Sequence, residues 1–354
     1  MNKLTLFVMR TVAVRILASA AILLAVLQIL DLLDVTTDIL DRGLGLGGVA
    51  YYAALRLPRL IEQVAPLAVL AGSLFAFAQM ARENAVIAMR ATGLSVYRLV
   101  GMALPVVACV AVIDYVTVEV IAPRTDPTLE AWWRDTAKVA PDVVAPRPFR
   151  AGADLVVARA GDNSGDKLAE VKIYRRDAAG RVVERIEAPN ATYEKNGVWT
   201  LHEPKMVRFV GDNAMASAAA ALAWNPGLRP PDVQTLLSAN QMPSAASARR
   251  ALAGGGSERP QSYYAVRLQK AFADPLGIFV MLLLTAPVAL GNFRNREGAV
   301  LTAGSLGAGL VYMVVDGMLS ALGESAALAP TLAAWSAPLV FAALATTVLL
   351  RMEG

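Results

Sequence analysis

The chain has 354 residues, of which 56% are hydrophobic and 18% charged, whereas soluble domains carry about 25% charged residues. This deficit excludes an ordinary soluble protein, and a net charge of +4 without a dense lysine and arginine run argues against nucleic-acid binding. One cysteine, Cys109, cannot form an intrachain disulfide, and one histidine, His202, excludes a histidine-rich metal site.

The first apolar run predicts a membrane span over residues 10–33, because about 20 apolar residues suffice to cross the hydrocarbon core of a bilayer. Residues 1–15 contain three basic residues and no acidic one, so the positive-inside rule places the beginning of this span in the cytoplasm. An acidic segment that begins with Asp31 and Asp34 follows and suits the outer side of the membrane.

The second span is predicted over residues 49–80 and returns the chain to the cytoplasm. Its two prolines, Pro58 and Pro66, predict a kink or an unwound turn. Three charged side chains follow at i,i+3 spacing near its outer third: Arg56, Arg59 and Glu62. Charge at this depth is typical of a bundle interior or a wet cavity. The alternative is an internal ion pair or an anchor at the outer interface.

A short polar stretch, residues 81–98, lies between the second and third apolar runs, and its arginines place it in the cytoplasm. Asn84 and Gly93 are typical of a helix start and stop, which predicts a two-turn helix over residues 85–92. Its apolar face consists of Val86, Ile87 and Met89. Two interpretations stay open: a helix that docks into a groove on a soluble partner, or a tight turn that packs on the neighbouring spans.

The third span is predicted over residues 99–122 and ends at Pro123. Beyond it, charge rises and short β-type segments appear between turns. Strands are predicted at residues 154–160, 170–175, 182–187 and 205–210, with a hairpin at residues 193–201 around Asn196 and Gly197. These elements predict a small all-β sandwich or jelly roll on the outer side of the membrane.

Two short helices are predicted at residues 232–240 and 244–253, the second with Ser244 as its N-cap. Three more spans follow, over residues 266–290, 299–319 and 332–350. The predicted fold is therefore a six-span helical membrane protein with both termini in the cytoplasm. Its parts are residues 1–123 with spans one to three, residues 124–262 with the outer β domain and its linker, and residues 263–354 with spans four to six.

The sequence lacks the motifs of several catalytic classes. It contains no Walker A motif, so any nucleotide hydrolysis that drives this protein must take place on another chain. Metalloprotease, serine-hydrolase and paired-cysteine metal motifs are also missing, which predicts no catalytic residue and no metal ligand. Three intramembrane acids, Asp114, Glu119 and Asp316, could form a proton relay, but all lie in outward halves of their spans, which disfavours proton-coupled transport.

Residues 89–95 (MRATGLS), after the second span, are similar to the coupling segment of the lipopolysaccharide-export permeases. Residues 120–123 (VIAP), residues 274–276 (DPL) and the pair Tyr312 and Asp316 also resemble positions of that family. The arrangement of three spans, an outer β domain and three spans resembles the family over nearly the whole chain. The acidic exit of span one and residues 57–59 (LPR) resemble its G-type subunit more than its F-type.

The resemblance implies a non-catalytic permease subunit of an ABC-type exporter in the inner membrane of Gram-negative bacteria. It implies a pair with a second, homologous permease, and a cytosolic ABC ATPase dimer that holds ATP and magnesium, so that this chain binds no cofactor itself. The β domain, a jelly roll in the family, would join a periplasmic bridge of similar folds, with accessory membrane proteins. The alternative is an envelope adaptor or sensor that binds a ligand through its β domain.

The resemblance also implies roles for particular residues. The ATPase-coupling set is Glu83, Val86, Ile87, Met89 and Arg90, and the lipopolysaccharide-binding set is Arg56, Arg59, Glu62, Asp31, Asp34, Tyr312 and Asp316. Within the second set, Arg59 falls near a family lysine that contacts the glycolipid, and Arg56 would be its helper. This sequence departs from the family at two points. The coupling acid of the family aligns with Ala85, so Glu83 is the nearest replacement. Asp31 and Asp34 stand where a G-type subunit can place a lysine, which leaves Arg56 and Arg59 as the cations in the outer parts of spans one and two.

Overall fold

The computed structural model describes residues 3–91, 93, 95–136, 146–152, 154–162, 165–177, 181–194, 198–210, 213–230, 233, 236, 243–253, 256–257, 259–290 and 297–353. The chain divides into two compact units. One comprises Met1–Ala122 and Gln269–Gly354, and the other comprises Pro123–Leu268. We call the first the helical unit and the second the inserted unit.

The helical elements begin with α1 (Lys3–Asp41), α2 (Gly45–Arg82), α3 (Ala85–Ala91), α4 (Val96–Val116), a π-helical segment (Thr117–Ile121) and α5 (Ala122–Asp135). They continue after the strands with α6 (Ala245–Leu252), α7 (Gln261–Thr285), a 3₁₀ turn (Ala286–Leu290), α8 (Glu297–Glu324) and α9 (Pro330–Glu353). Among the described residues, six helical stretches are long and apolar enough to cross a membrane, which confirms the predicted number of spans.

Small residues bring the helices of the helical unit close together. A Cβ atom on Gly72 of α2 would collide with the backbone of Ile16 on α1, and one on Gly309 of α8 would collide with the side chain of Leu70 on α2. Close backbone approach at glycine is a common way of packing helices where lipid removes the hydrophobic driving force. Leu70 and Phe77 are fully buried, so α2 lies at the centre of this core.

Prolines do not interrupt the helix of span two. The unwound turn, one of the two predicted alternatives, is wrong, because α2 is unbroken past Pro58 and Pro66, and the kink stays a prediction. Each proline removes one i→i−4 hydrogen bond of the helix. Breaking further backbone hydrogen bonds would be costly in a bilayer, because no water is available there to replace them, so the helix continues on both sides of each proline.

The predicted end of span three at Pro123 is also wrong. The helix passes through the π-helical segment and on into α5, which ends at Asp135. A π-turn widens the helix by one residue and alters its hydrogen-bond register. We attribute the tolerance of Pro123 to this wider turn, because the proline has no N–H to donate and needs room for its ring.

The strands of the inserted unit are β1 (Arg147–Ala151), β2 (Asp154–Ala160), β3 (Lys167–Arg176), β4 (Val182–Tyr193), β5 (Trp199–His202), β6 (Lys205–Val210), β7 (Asn213–Ala218) and β8 (Ala221–Trp224). They form one eight-stranded antiparallel sheet in the order β1-β2-β3-β4-β5-β8, with β6 between β4 and β7. The inserted β domain is thereby confirmed, and its jelly-roll form stays a prediction.

The long strand β4 is where the sheet branches. Its first half pairs with β6, from Glu184↔Arg208 onwards, and its second half pairs with β5, up to Tyr193↔Trp199. Trp199 is fully buried and donates from Nε1 to the carbonyl of Leu228 at 3.1 Å. The branch lets a short sheet enclose a core of apolar side chains on one side.

The local predictions in this unit have different outcomes. Strands β2 and β6 have the predicted bounds, and the predicted hairpin pairs β4 with β5, although its Asn196-Gly197 turn lies outside the described residues. Ser244 caps α6 as predicted, because its Oγ accepts from the backbone N–H of Ser247 at 3.3 Å. Most of the predicted helix at residues 232–240 lies outside the described residues.

Candidate functional site

The turn that leads into α3 depends on one residue with an unusual backbone. Asn84 precedes the helix as predicted, and its carbonyl accepts from Ala88 N–H at 3.0 Å. Its φ of +57° is left-handed, however, and not the extended backbone of a usual N-cap. Asparagine tolerates this conformation better than most residues, so Asn84 ends α2 and starts α3 in one tight turn. Gly93, with φ +84°, provides the left-handed stop that was predicted.

The apolar face of α3 divides into two parts. Val86 and Met89 are buried and belong to the core cluster of the helical unit. Ile87 points away from that core, with 65% of its surface exposed. The helix is therefore fixed to its own unit by two side chains and presents a third outwards. For Arg90 the structure describes the backbone position in α3 only.

Glu83 is exposed and belongs to a chain of polar side chains that the sequence did not indicate. Gln79 Nε2 donates to Glu83 Oε1 at 2.8 Å. Arg15 of α1 donates to Gln79 Oε1 from Nε at 3.0 Å and from a terminal nitrogen at 2.6 Å. This chain ties the end of α2, next to α3, to the first half of α1.

The outer cations of span two are both paired. Arg56 Nε lies 3.1 Å from Asp31 Oδ1 on α1, and Arg59 lies 2.9 Å from Glu62 one turn later. The two pairs differ in access, because 34% of the Arg56 side chain is exposed but only 10% of the Arg59 side chain. Asp34 is exposed on α1. Both cations are thus held in ion pairs, and the wet cavity of the other interpretation stays a prediction.

The Asp31 carboxylate has an unused acceptor. Its Oδ2 atom is buried and has no hydrogen-bond partner among the described residues. One turn earlier on α1, the Nε2 atom of Gln28 is also buried and also has no hydrogen-bond partner among the described residues. The same Asp31 carboxylate hydrogen-bonds with the side chain of Tyr52, so Arg56 and Tyr52 of α2 both hold Asp31 at this corner of α1 and α2.

Asp316 of α8 lies beside a lysine that the sequence reading missed. Lys270 of α7 places its Nζ 2.5 Å from Asp316 Oδ2 and 3.2 Å from Asp274 Oδ1. The Oγ of Ser320 lies 3.1 Å from the same nitrogen. Only 15% of the Lys270 side chain and 19% of the Asp316 side chain are exposed. The spacing Lys270-x-x-x-Asp274 predicts an i,i+4 pair, and could have drawn attention to this lysine.

Tyr312 lies one turn before Asp316 on α8 and is 5% exposed. Its hydroxyl occupies the space in which a Cβ atom of Gly277 would lie, and its ring packs edge to face on Phe341 with centroids 5.3 Å apart. Tyr312 thus joins α7, α8 and α9. Among the described residues, no group of three or more His, Cys, Asp or Glu side chains could hold a metal ion.

These features define a multi-pass membrane protein with a short helix anchored between its second and third spans, ion pairs within the helical unit and an inserted antiparallel β-sheet. The family model for the lipopolysaccharide export system permease LptF/LptG matches residues 6–351. The chain belongs to this permease family, as the coupling segment predicted, and is a multi-pass protein of the inner membrane. The family model covers both subunit types, so the G-type preference stays a prediction. No curated protein matches the chain significantly.

Proposed function

We propose that this chain is a transmembrane subunit that moves lipopolysaccharide out of the inner membrane, driven by ATP hydrolysis on a cytosolic ABC ATPase dimer. A second, homologous permease would complete the cavity, and the inserted unit would lie in the periplasm and pass the glycolipid to a bridge of β domains. Family membership supports the export role. The observation that carries the coupling is the geometry of α3, which is anchored by Val86 and Met89 and presents Ile87.

An anchored α3 can transmit force in both directions. Because Val86 and Met89 pack in the core next to α2, a partner that moves α3 must also move the helices on which it packs. The chain of Arg15, Gln79 and Glu83 extends this link to α1. ATP-dependent closure of a bound ATPase would therefore move both α1 and α2, the two helices that this chain would contribute to the cavity.

Purification of the chain from native membranes in mild detergent, followed by mass spectrometry, tests the proposal. We expect a soluble ABC ATPase and a second six-span protein of the same family to copurify. Recovery of the chain with periplasmic proteins alone would contradict it and favour an envelope adaptor or sensor.

We assign the first contact with the glycolipid phosphates to Arg56 rather than Arg59. Arg56 is the more exposed of the two, and its partner Asp31 comes from a different helix. A phosphate is a strong partner for a guanidinium and could replace Asp31 when a lipid enters. Arg59, which is buried beside Glu62, would set the shape of this corner and leave the ligand contact to Arg56.

Replacing Arg56 with glutamine should weaken lipopolysaccharide binding roughly tenfold or more, because a hydrogen bond to a charged group contributes about 1.5–3 kcal/mol. Replacing Asp31 with asparagine should strengthen binding, because the carboxylate no longer competes for the guanidinium. Titration of the purified chain in nanodiscs with fluorescent lipopolysaccharide measures both effects. Equal affinities for Arg56→Gln, Asp31→Asn and the natural chain would remove this corner from the substrate path.

We propose that the edge of β7 joins the periplasmic bridge. This strand pairs with β6 on one side, carries no charged residue, and is exposed from Ala214 to Ala218. An uncharged, exposed edge strand is a template for strand addition from another chain. The β1 edge is less open, because Arg150 and Ser257 exchange two backbone hydrogen bonds of 2.7 Å there.

Introducing lysine at Met215 and Ser217 should abolish association with the bridge, because lysines on an edge strand oppose pairing with another sheet. Copurification of the bridge component with the full complex measures the effect. The matched control places the same two lysines at Val182 and Asn190, which are exposed positions on β4, an interior strand. Unchanged copurification in the β7 variant would contradict the assignment of this edge.

A further inference from the structure

Helix α6 has two different faces. Ala248 and Ala251 are buried and form a small cluster with Tyr263 and Tyr264, which lie at the beginning of α7. Arg249 and Arg250 are exposed, on the opposite side of the same helix. The two faces follow from the spacing of the residues, since positions three apart share one side of a helix. This short helix is therefore held against α7 by alanines and presents arginines outwards.

The contact between α6 and α7 relates α6 to the beginning of a membrane-spanning stretch. Helix α7 opens a stretch, Gln261–Ala289, that is long and apolar enough to cross a membrane. Tyr263 and Tyr264 lie in its first turn, and their rings meet edge to face at 5.3 Å. Tyrosines at the end of a span are typical of the membrane–water interface. Because α6 packs on these two tyrosines, a membrane interface at the start of this span would place α6 at the level of the lipid headgroups.

The same corner is rich in positive charge. Residues 244–268 contain four basic residues and one acidic residue, a net charge of +3. The guanidinium of Arg259 lies 4.5 Å from the ring centre of Tyr263. Arg267, one turn further along α7, donates from Nε to the carbonyl of Pro243, just before α6, at 3.1 Å. Two of the cations are thus fixed beside α6, and the exposed pair Arg249 and Arg250 adds to their field.

We propose that α6 and the first turns of α7 form a basic collar that binds anionic phospholipid headgroups on the outer leaflet of the inner membrane. The choice of the outer leaflet rests on the proposed function, which places the inserted unit in the periplasm. Basic side chains next to an anionic membrane surface are attracted to it, and tyrosines at the interface fix the depth of a helix in the membrane. The collar would attach the end of the inserted unit to the bilayer next to span four.

The full-length chain in nanodiscs tests the collar. A dye that senses polarity is attached to a cysteine at Ala246, which is exposed on α6, after Cys109 is replaced with serine. The discs contain phosphatidylcholine alone or with increasing phosphatidylglycerol. We expect a spectral change with phosphatidylglycerol only, and Arg249→Gln with Arg250→Gln should weaken the response about 30-fold, given roughly a fivefold contribution from each cation.

The control removes two other exposed cations, Lys172 and Lys205, which lie on the β-sheet. Lys172→Gln with Lys205→Gln should respond as the natural chain does. Equal responses in neutral and anionic discs, or equal loss in both double variants, would overturn the collar. A response to lipopolysaccharide in phosphatidylcholine discs without one to phosphatidylglycerol would also overturn it. Labelling of the Ala246→Cys thiol by an impermeant reagent in intact cells tests the periplasmic position separately.

Discussion

Replacing Ile87 with aspartate should prevent binding of the cytosolic ATPase while the helical unit stays folded. Ile87 is 65% exposed on α3, so the substitution costs the free chain little. In the proposed complex the same side chain lies in an apolar groove of the ATPase, where a carboxylate would lose its water without gaining a partner. Residues at the centre of such contacts contribute about 2 kcal/mol or more, which corresponds to at least a roughly 30-fold loss of affinity. Copurification and ATPase stimulation in reconstituted vesicles measure the loss.

Met215→Asp is a matched control, because Met215 has the same exposure as Ile87 but lies on β7 in the inserted unit. It should leave ATPase binding unchanged. Val86→Asp is not a useful test of docking, since Val86 is 4% exposed and its replacement would disturb the core. Normal ATPase binding by Ile87→Asp would show that α3 is a tight turn between spans and would move the coupling contact elsewhere.

The position of α3 could be read from the sequence, but the direction of its faces could not. Asn84 indicated the start because asparagine is common at helix N-caps, and Gly93 indicated the end because left-handed backbone favours glycine. Val86, Ile87 and Met89 are all apolar, and in a helix of seven residues the apolar pattern is too short to show which of them face the core. Only the packing of α3 on its neighbours separates the buried pair from Ile87.

The strands were also predictable only where the local sequence indicates a strand. β2 and β6 were predicted at their observed bounds because they contain β-branched residues between turn signals. β7 was missed because its sequence, NAMASA, has little β propensity and depends on pairing with β6. Pro123 misled the prediction because the π-helical segment that accommodates it has no clear sequence signature.

The candidate site shows why pairs distant in sequence are harder to predict than local ones. Arg59 and Glu62 are three residues apart, so their pairing follows from helix geometry. The contact between Lys270 and Asp316 joins two helices across 46 positions and needs the packed bundle. Asp316 was assigned to substrate binding from the resemblance alone, because its contact with Lys270 could not be predicted from the sequence.

Replacing Lys270 with methionine should destabilise the helical unit by about 3–5 kcal/mol, because it leaves a mostly buried carboxylate without its cation. Asp316 is 19% exposed and lies 2.5 Å from the lost ammonium. Thermal unfolding of the chain in detergent, followed by near-ultraviolet circular dichroism, measures the change. Lys172→Met, at an exposed position of the β-sheet, is the matched control and should unfold at the temperature of the natural chain.

The double variant Lys270→Met with Asp316→Leu separates packing from substrate binding at Asp316. Replacing both members of a buried ion pair with apolar residues is often neutral or stabilising, so the double variant should recover most of the lost stability. If the pair only holds α7 against α8, export should recover with stability. If Asp316 contacts lipopolysaccharide, the stable double variant should still fail in export. A double variant no more stable than Lys270→Met would contradict the pairing itself, because removing the orphaned carboxylate would then have gained nothing.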